Sequence, residues 1–154
     1  MTRRILSLLL LSLMMVLSGC SYRYDFVVIN KSDGVIEVQY KLKRYSPETP
    51  GKYVDINPPA KVALSEFVKA EYQWQDLAKE QYEFDNLTGT FKVNVAPDEV
   101  LRVDYATNYR GDENEFALAS IRIDGARGSI DLKGQQAQTQ FKVEGDTKYV
   151  LRYR

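Results

Sequence analysis

The stretch Val35-Ile36-Glu37-Val38-Gln39-Tyr40-Lys41-Leu42-Lys43 alternates apolar and polar residues from Ile36 to its end. Successive side chains of an extended chain point to opposite faces, so Ile36, Val38, Tyr40 and Leu42 share one face and Glu37, Gln39, Lys41 and Lys43 the other. A helix would scatter both sets around its circumference. The pattern therefore predicts a half-buried antiparallel strand, apolar toward a core and charged toward water.

The same period returns along most of the chain. Residues 91–95 form one run, followed by the turn Ala96-Pro97-Asp98-Glu99, where Pro97 suits the second position of a type I turn. Residues 100–106 form the next, with Leu101, Val103 and Tyr105 on one face. Runs at 116–124, 129–133, 140–144 and 148–153 are separated by Gly125-Ala126-Arg127-Gly128, Gly134-Gln135-Gln136 and Gly145-Asp146. Upstream, residues 22–29 meet the first alternating strand through Asn30-Lys31-Ser32-Asp33-Gly34, whose Asp-Gly predicts a hairpin turn with positive φ. Many short strands with turn signals at this spacing predict an all-β fold, an antiparallel β-sandwich of Ig-like or Greek-key type.

The middle of the chain departs from this pattern. Pro47, Pro50, Pro58 and Pro59, four of the five prolines, mark residues 45–60 as a long loop with a short strand near 53–56. A strand is expected over 61–68. Over 71–81, Trp74, Leu77 and Ala78 recur at helical spacing among Gln, Asp, Lys and Glu, which predicts one short helix. Its expected role is to close one end of the sandwich by inserting Trp74 and Leu77 into the core.

At the N-terminus, Arg3 and Arg4 precede an apolar run from Ile5, interrupted only by Ser7 and Ser12, that closes on Leu17-Ser18-Gly19-Cys20. The run is shorter than the roughly 20 apolar residues that a spanning helix needs. The segment resembles the signal peptide of a bacterial lipoprotein. The resemblance implies that Leu17, Ser18 and Gly19 form the cleavage signal, that residues 1–19 are removed, and that Cys20 carries acyl chains of the palmitate kind. Residues 20–154 would then be a single β-sandwich domain tethered through Cys20. One acyl chain binds membranes only reversibly, whereas the diacylglycerol and N-acyl groups that the resemblance implies would anchor the domain stably. Ser21 is not the Asp that marks inner-membrane retention in enterobacteria-like systems, which implies an outer-membrane anchor with the domain facing the periplasm.

Composition narrows the chemistry further. Cys20 is the only cysteine, so no intramolecular disulfide can form although the implied compartment would permit one. Lys and Arg number 21 and so do Asp and Glu, and residues 1–19 hold Arg3 and Arg4 but no acid; the mature domain is thus about two charges negative. That near balance argues against nucleic acid, or an anionic membrane face, as an electrostatic partner.

With no histidine and its one cysteine committed to lipid, the mature domain lacks the side chains that dominate acid–base catalysis near neutrality and the binding of zinc or copper. Carboxylates could in principle hydrolyse glycosides, yet Glu83, Asp85, Asp104 and Asp124 each suit a strand end or a solvated strand face. No catalytic residue, metal ligand or cofactor is therefore expected. Arg110-Gly111-Asp112 is an integrin-type tripeptide too short to carry weight, and Asp112, Glu113, Asn114 and Glu115 lack the spacing of an EF-hand loop. A solvated loop accounts for both.

Eleven tyrosines leave one further candidate: Tyr45, Tyr53, Tyr72 and Trp74 lie in or beside the irregular middle region. Exposed aromatics can stack on sugars or grip a protein, although tyrosine is also simply a good strand former. Two functions follow. The first is a non-enzymatic, membrane-tethered adaptor or envelope assembly factor that joins another envelope protein; it calls for an apolar patch or an open edge strand. The alternative is a tethered glycan- or peptidoglycan-binding module, which calls for a groove lined by parallel-facing rings.

Overall fold

The computed structural model describes residues 22–43, 58–69, 71–111, 116 and 118–154. Cys20 and its cleavage signal, Tyr45, Tyr53, the strand expected at 53–56 and the acidic loop at 112–115 lie outside the described residues. Among the described residues eleven strands form two sheets. In chain order they are β1 (Arg23–Asn30), β2 (Ile36–Leu42), β3 (Ala60–Ala63), β4 (Gln75–Asp76), β5 (Glu83–Asp85), β6 (Thr90–Val95), β7 (Glu99–Thr107), β8 (Leu118–Gly125), β9 (Gly128–Lys133), β10 (Lys142–Glu144) and β11 (Lys148–Tyr153). Sheet A runs β10-β11-β1-β7-β3-β4 and sheet B runs β5-β6-β2-β8-β9. The fold is an all-β sandwich, antiparallel except for the parallel pair β1 and β11.

The alternation in β2 is used as expected, with Ile36, Val38 and Tyr40 fully buried between the sheets. In β1 the run Phe26-Val27-Val28-Ile29 does not alternate, and all four residues are buried. Phe26 and Val28 face the inter-sheet core, while Val27 and Ile29 belong to a second cluster with Val62, Phe67, Val100 and Val150 on the outer face of sheet A. A strand flanked on both sides and apolar on both faces needs a cover on each.

This two-sided burial overturns the expected opening hairpin. β1 pairs with β7 and β11, whereas β2 pairs with β6 and β8 in the other sheet, so residues 31–35 form an arch between the layers. Gly34 is not among the residues with positive φ. Asn30, fully buried, holds the arch: its amide donates to the carbonyls of Gly34 at 2.8 Å and Val95 at 2.9 Å, and its Oδ1 accepts from the Ser32 N–H at 2.9 Å and Oγ at 2.7 Å. The 96–99 turn likewise crosses between sheets. Its Glu99 N–H donates to the Ala96 carbonyl at 3.1 Å, but Asp98 has φ +55°, so the turn is type II rather than type I.

The middle region is where expectation and structure part most. The predicted helix over 71–81 is not formed: β4 pairs with β3, the Leu77 N–H donates to the Pro59 carbonyl at 2.9 Å, and only a 3₁₀ turn at Lys79–Gln81 is helical. The strand expected over 61–68 ends at Ala63 and becomes the single turn α1 (Leu64–Phe67). The longer helix among the described residues, α2 (Gly134–Gln140), occupies an expected separator. It closes the end of the sandwich by placing Ala137, with Phe141 just beyond, in the inter-sheet core.

Candidate functional site

The outer face of sheet A carries the densest arrangement of chemistry among the described residues. Its floor is the second apolar cluster, and its cover is the chain that leaves β3 through α1 and returns to β4. Along that cover Tyr72 and Trp74 are half-buried, while Glu71, Gln73 and Gln75 are exposed. This is strand-like period two, and it lays both rings on the sheet.

Both rings are tied to one carboxylate. Asp25, nearly buried, accepts from the Tyr72 hydroxyl at 3.2 Å and the Trp74 indole N–H at 3.1 Å through one oxygen, and from the Arg23 Nε at 3.0 Å through the other. Burial, then the charge of Asp25 and the hydrogen bond to it, push the Tyr72 hydroxyl well above the ordinary tyrosine range. The rings pack against each other at steep angles: Tyr72 and Trp74 lie 5.4 Å apart at 87°, and Phe67 and Tyr72 5.0 Å apart at 57°.

Cations fill the remaining faces. The Arg102 guanidinium, nearly buried, lies 5.1 Å from the Trp74 ring and 5.4 Å from Tyr105, and pairs with Asp76 at 3.2 Å. Arg23 lies 4.2 Å above Tyr105. Lys148 sits 4.4 Å from the Phe67 ring and 4.6 Å from Tyr72, and donates to the Phe67 carbonyl at 3.1 Å. Such contacts gain most where the cation is desolvated, and burial together with the neighbouring Arg23 charge pushes Arg102 below the ordinary arginine range.

Tyr105 reaches this face through an irregularity that alternation cannot foresee. The β1–β7 register shifts between Phe26, opposite Asp104, and Val27, opposite Arg102, which leaves Val103 unopposed. Leu101 and Val103 face the inter-sheet core as expected, but Tyr105 turns outward to the arginines. A bulge of this kind redirects one side chain without breaking the sheet.

Of the four aromatics expected to form a candidate site, the structure thus joins Tyr72 and Trp74, with Tyr45 and Tyr53 outside the described residues. Trp74 does not plug the core with Leu77. It covers the outer face, whereas Leu77 packs against the inter-sheet cluster. The organising residues, Asp25, Arg102 and Lys148, were not anticipated. The available signal was Arg23-Tyr24-Asp25, which places opposite charges on one face of a strand that is otherwise apolar.

Two of the acids considered for catalysis, Asp85 and Asp124, hold structure in place. Asp85 accepts from the Leu87 N–H and the Thr88 hydroxyl, and those bonds, the hydroxyl's first, lower its pKa. Arg122 and Ser129 bond Asp124 and hold it at about 2. Among the described residues no group of three or more acids stands together in the manner of a metal site.

Beside the cover lies an open groove of about 830 Å³ whose wall includes Lys61, Glu66, Glu71, Tyr72 and Glu99. Lys61 closes one side by pairing with Glu99 at 2.9 Å and donating to the Asn94 carbonyl. The terminal strands differ in length: β4 has two residues, β5 and β10 three each, and β9 six. Among the described residues nothing pairs with the side of β9 away from β8, and Ser129, Asp131 and Lys133 are exposed. No family model, curated protein or solved structure matches the chain.

Proposed function

We propose that this chain is an envelope lipoprotein, anchored in the outer membrane through acylated Cys20 and facing the periplasm, whose sandwich acts as a non-enzymatic adaptor for another envelope protein. The observation that carries the adaptor reading is the contrast between β9 and the aromatic cover. Among the described residues β9 offers a six-residue open edge, and unpaired strand edges accept a further strand from a partner. The rings of Tyr72 and Trp74, by contrast, lie at 87° to each other with their polar atoms on Asp25. They are a fastened lid rather than a flat platform, which weighs against the glycan-binding alternative.

Two measurements test this reading. Cys20→Ser should abolish labelling by a radioactive fatty acid and leave unprocessed precursor; equal label on mutant and wild type would end the lipoprotein reading. A photo-crosslinking residue at Asp131 should give a discrete protein adduct in cells, while the purified domain fails to pellet with peptidoglycan. Pelleting that Trp74→Ala abolishes, with no adduct at position 131, would establish the glycan-binding module instead.

A further inference from the structure

The distance between the anchor and the fold is set by the sequence. Ser21 alone separates Cys20 from Tyr22, and an extended chain spans at most about 3.6 Å per residue, so the two lie within about 7 Å. Tyr22 is already held by the sandwich: its N–H donates to the Asn108 Oδ1 at 3.0 Å, and its carbonyl accepts from the Asn108 N–H at 2.7 Å. An acylated Cys20 would therefore leave no linker, and the end of the sandwich that holds Tyr22 would have to meet the lipid.

The strand registers define what else is at that end. Thr107 lies opposite Arg23, and Lys148 opposite Asp25, which puts the 145–147 turn there. In sheet B the same end holds Leu42, Thr90 and Leu118, and hence the turn between β5 and β6 that carries Leu87. Among the described residues five large apolar side chains are exposed, and two belong to this end: Tyr22 at 59 % and Leu87 at 76 %. Beneath them Tyr24, Tyr109 and Tyr149 form a ring cluster with centroid separations of 6.1, 6.3 and 5.1 Å. The opposite end is dressed with exposed ion pairs, Lys31 with Asp98 and Arg127 with Asp33. Tyrosines, whose rings are apolar and whose hydroxyls seek water, favour the depth of lipid headgroups.

We propose that the Tyr22 end of the sandwich rests on the membrane surface, with Tyr22 and Leu87 at headgroup depth. This inference rests on the Cys20 anchor. It gives the domain a fixed orientation: β1 rises from the lipid, the loops at Asp33, Asp98 and Arg127 stand roughly 25 Å above it, and the C-terminal Arg154 points away. Because the contact is apolar and the mature domain is nearly neutral, it needs no anionic lipid.

The test uses the full-length acylated protein. Its only native cysteine is consumed by lipid, so Leu87→Cys or Asp33→Cys introduces a single free thiol for a bimane label. Each variant is reconstituted in phosphatidylcholine vesicles containing a lipid with a nitroxide on its headgroup, and intact mass verifies acylation. Quenching should be several-fold stronger at position 87 than at 33 and should persist in high salt. Equal quenching at both positions in acylated protein overturns the orientation while leaving the anchor intact. Selective quenching that appears only with phosphatidylglycerol and vanishes in salt overturns the apolar contact. A mass without lipid overturns the anchor and the inference with it.

Discussion

The indole N–H of Trp74 donates to a side-chain oxygen of Asp25 at 3.1 Å, joining residues 49 positions apart and fastening the cover of sheet A to its central strand. A hydrogen bond to a charged, nearly buried acceptor contributes about 1.5–3 kcal/mol, and Trp74 also packs against the apolar cluster on the outer face of sheet A. Trp74→Phe keeps a ring but loses the donor, and should cost about 1–2 kcal/mol in urea denaturation. Trp74→Ala should cost about 2–3 kcal/mol, below the usual range for a fully buried aromatic because the ring is half-exposed. In an Asp25→Ala background the cost of Trp74→Phe should shrink markedly. Strict additivity would show that the bond contributes nothing to the cover.

Where the sequence was legible, one face of a strand was wet. β2, β6 and β8 fall where alternation or turn residues put them. β1 misled because Phe26-Val27-Val28-Ile29 is dry on both faces; its lack of alternation marks a central strand that cannot close a hairpin with β2. The helix expected over 71–81 failed for a competing reason. Segments this short are marginal as isolated helices, and here Gln75 and Asp76 could pair with β3 instead. α2 was missed because Gly134, at φ +50°, looks like a turn; its helix is set by Ala137 in the core and by the Gln138 amide donating to the Tyr109 hydroxyl at 2.8 Å. The Asp25 site depends on contacts across the sheet, which no local pattern encodes.

Alkaline pH should unfold the protein through its tyrosines. Burial raises the pKa of both Tyr72 and Tyr40 above 10.0, with Asp25 adding to the effect at Tyr72 and Asp104 at Tyr40. A group whose pKa is higher in the native state stabilises fully below its unfolded pKa, and that contribution is lost as the pH rises further. Stability should thus be flat to about pH 9 and fall beyond about pH 10. Tyr72→Phe should flatten the fall while lowering stability at neutral pH, because the hydroxyl bonds Asp25. Tyr40→Phe should flatten it without that penalty, since the buried Tyr40 hydroxyl has no hydrogen-bond partner among the described residues. Urea midpoints measured across this range decide the matter; an unchanged alkaline limb in both variants would assign it to other groups.

Gly125 and Tyr153 provide the third test, at the end of the sandwich away from Tyr22. Tyr153, the last residue of β11 in sheet A, crosses to sheet B and donates its hydroxyl to the Gly128 carbonyl at 2.8 Å. To get there its ring passes directly over Gly125, where a Cβ would lie 2.6 Å from the hydroxyl oxygen and 2.8 Å from Cζ. The ring is nearly buried and bonded at its tip, so it has little room to yield. Gly125→Ala should therefore cost about 1–3 kcal/mol, as overpacking of a filled site does. The reason is space, because Gly125 is not among the residues with positive φ. Removing the obstacle should remove the cost: in a Tyr153→Leu background, itself destabilised, Gly125→Ala should be close to neutral. Thermal melts of the four proteins close the cycle. An alanine penalty that persists without the Tyr153 ring would place its origin in the backbone of the β8–β9 hairpin instead.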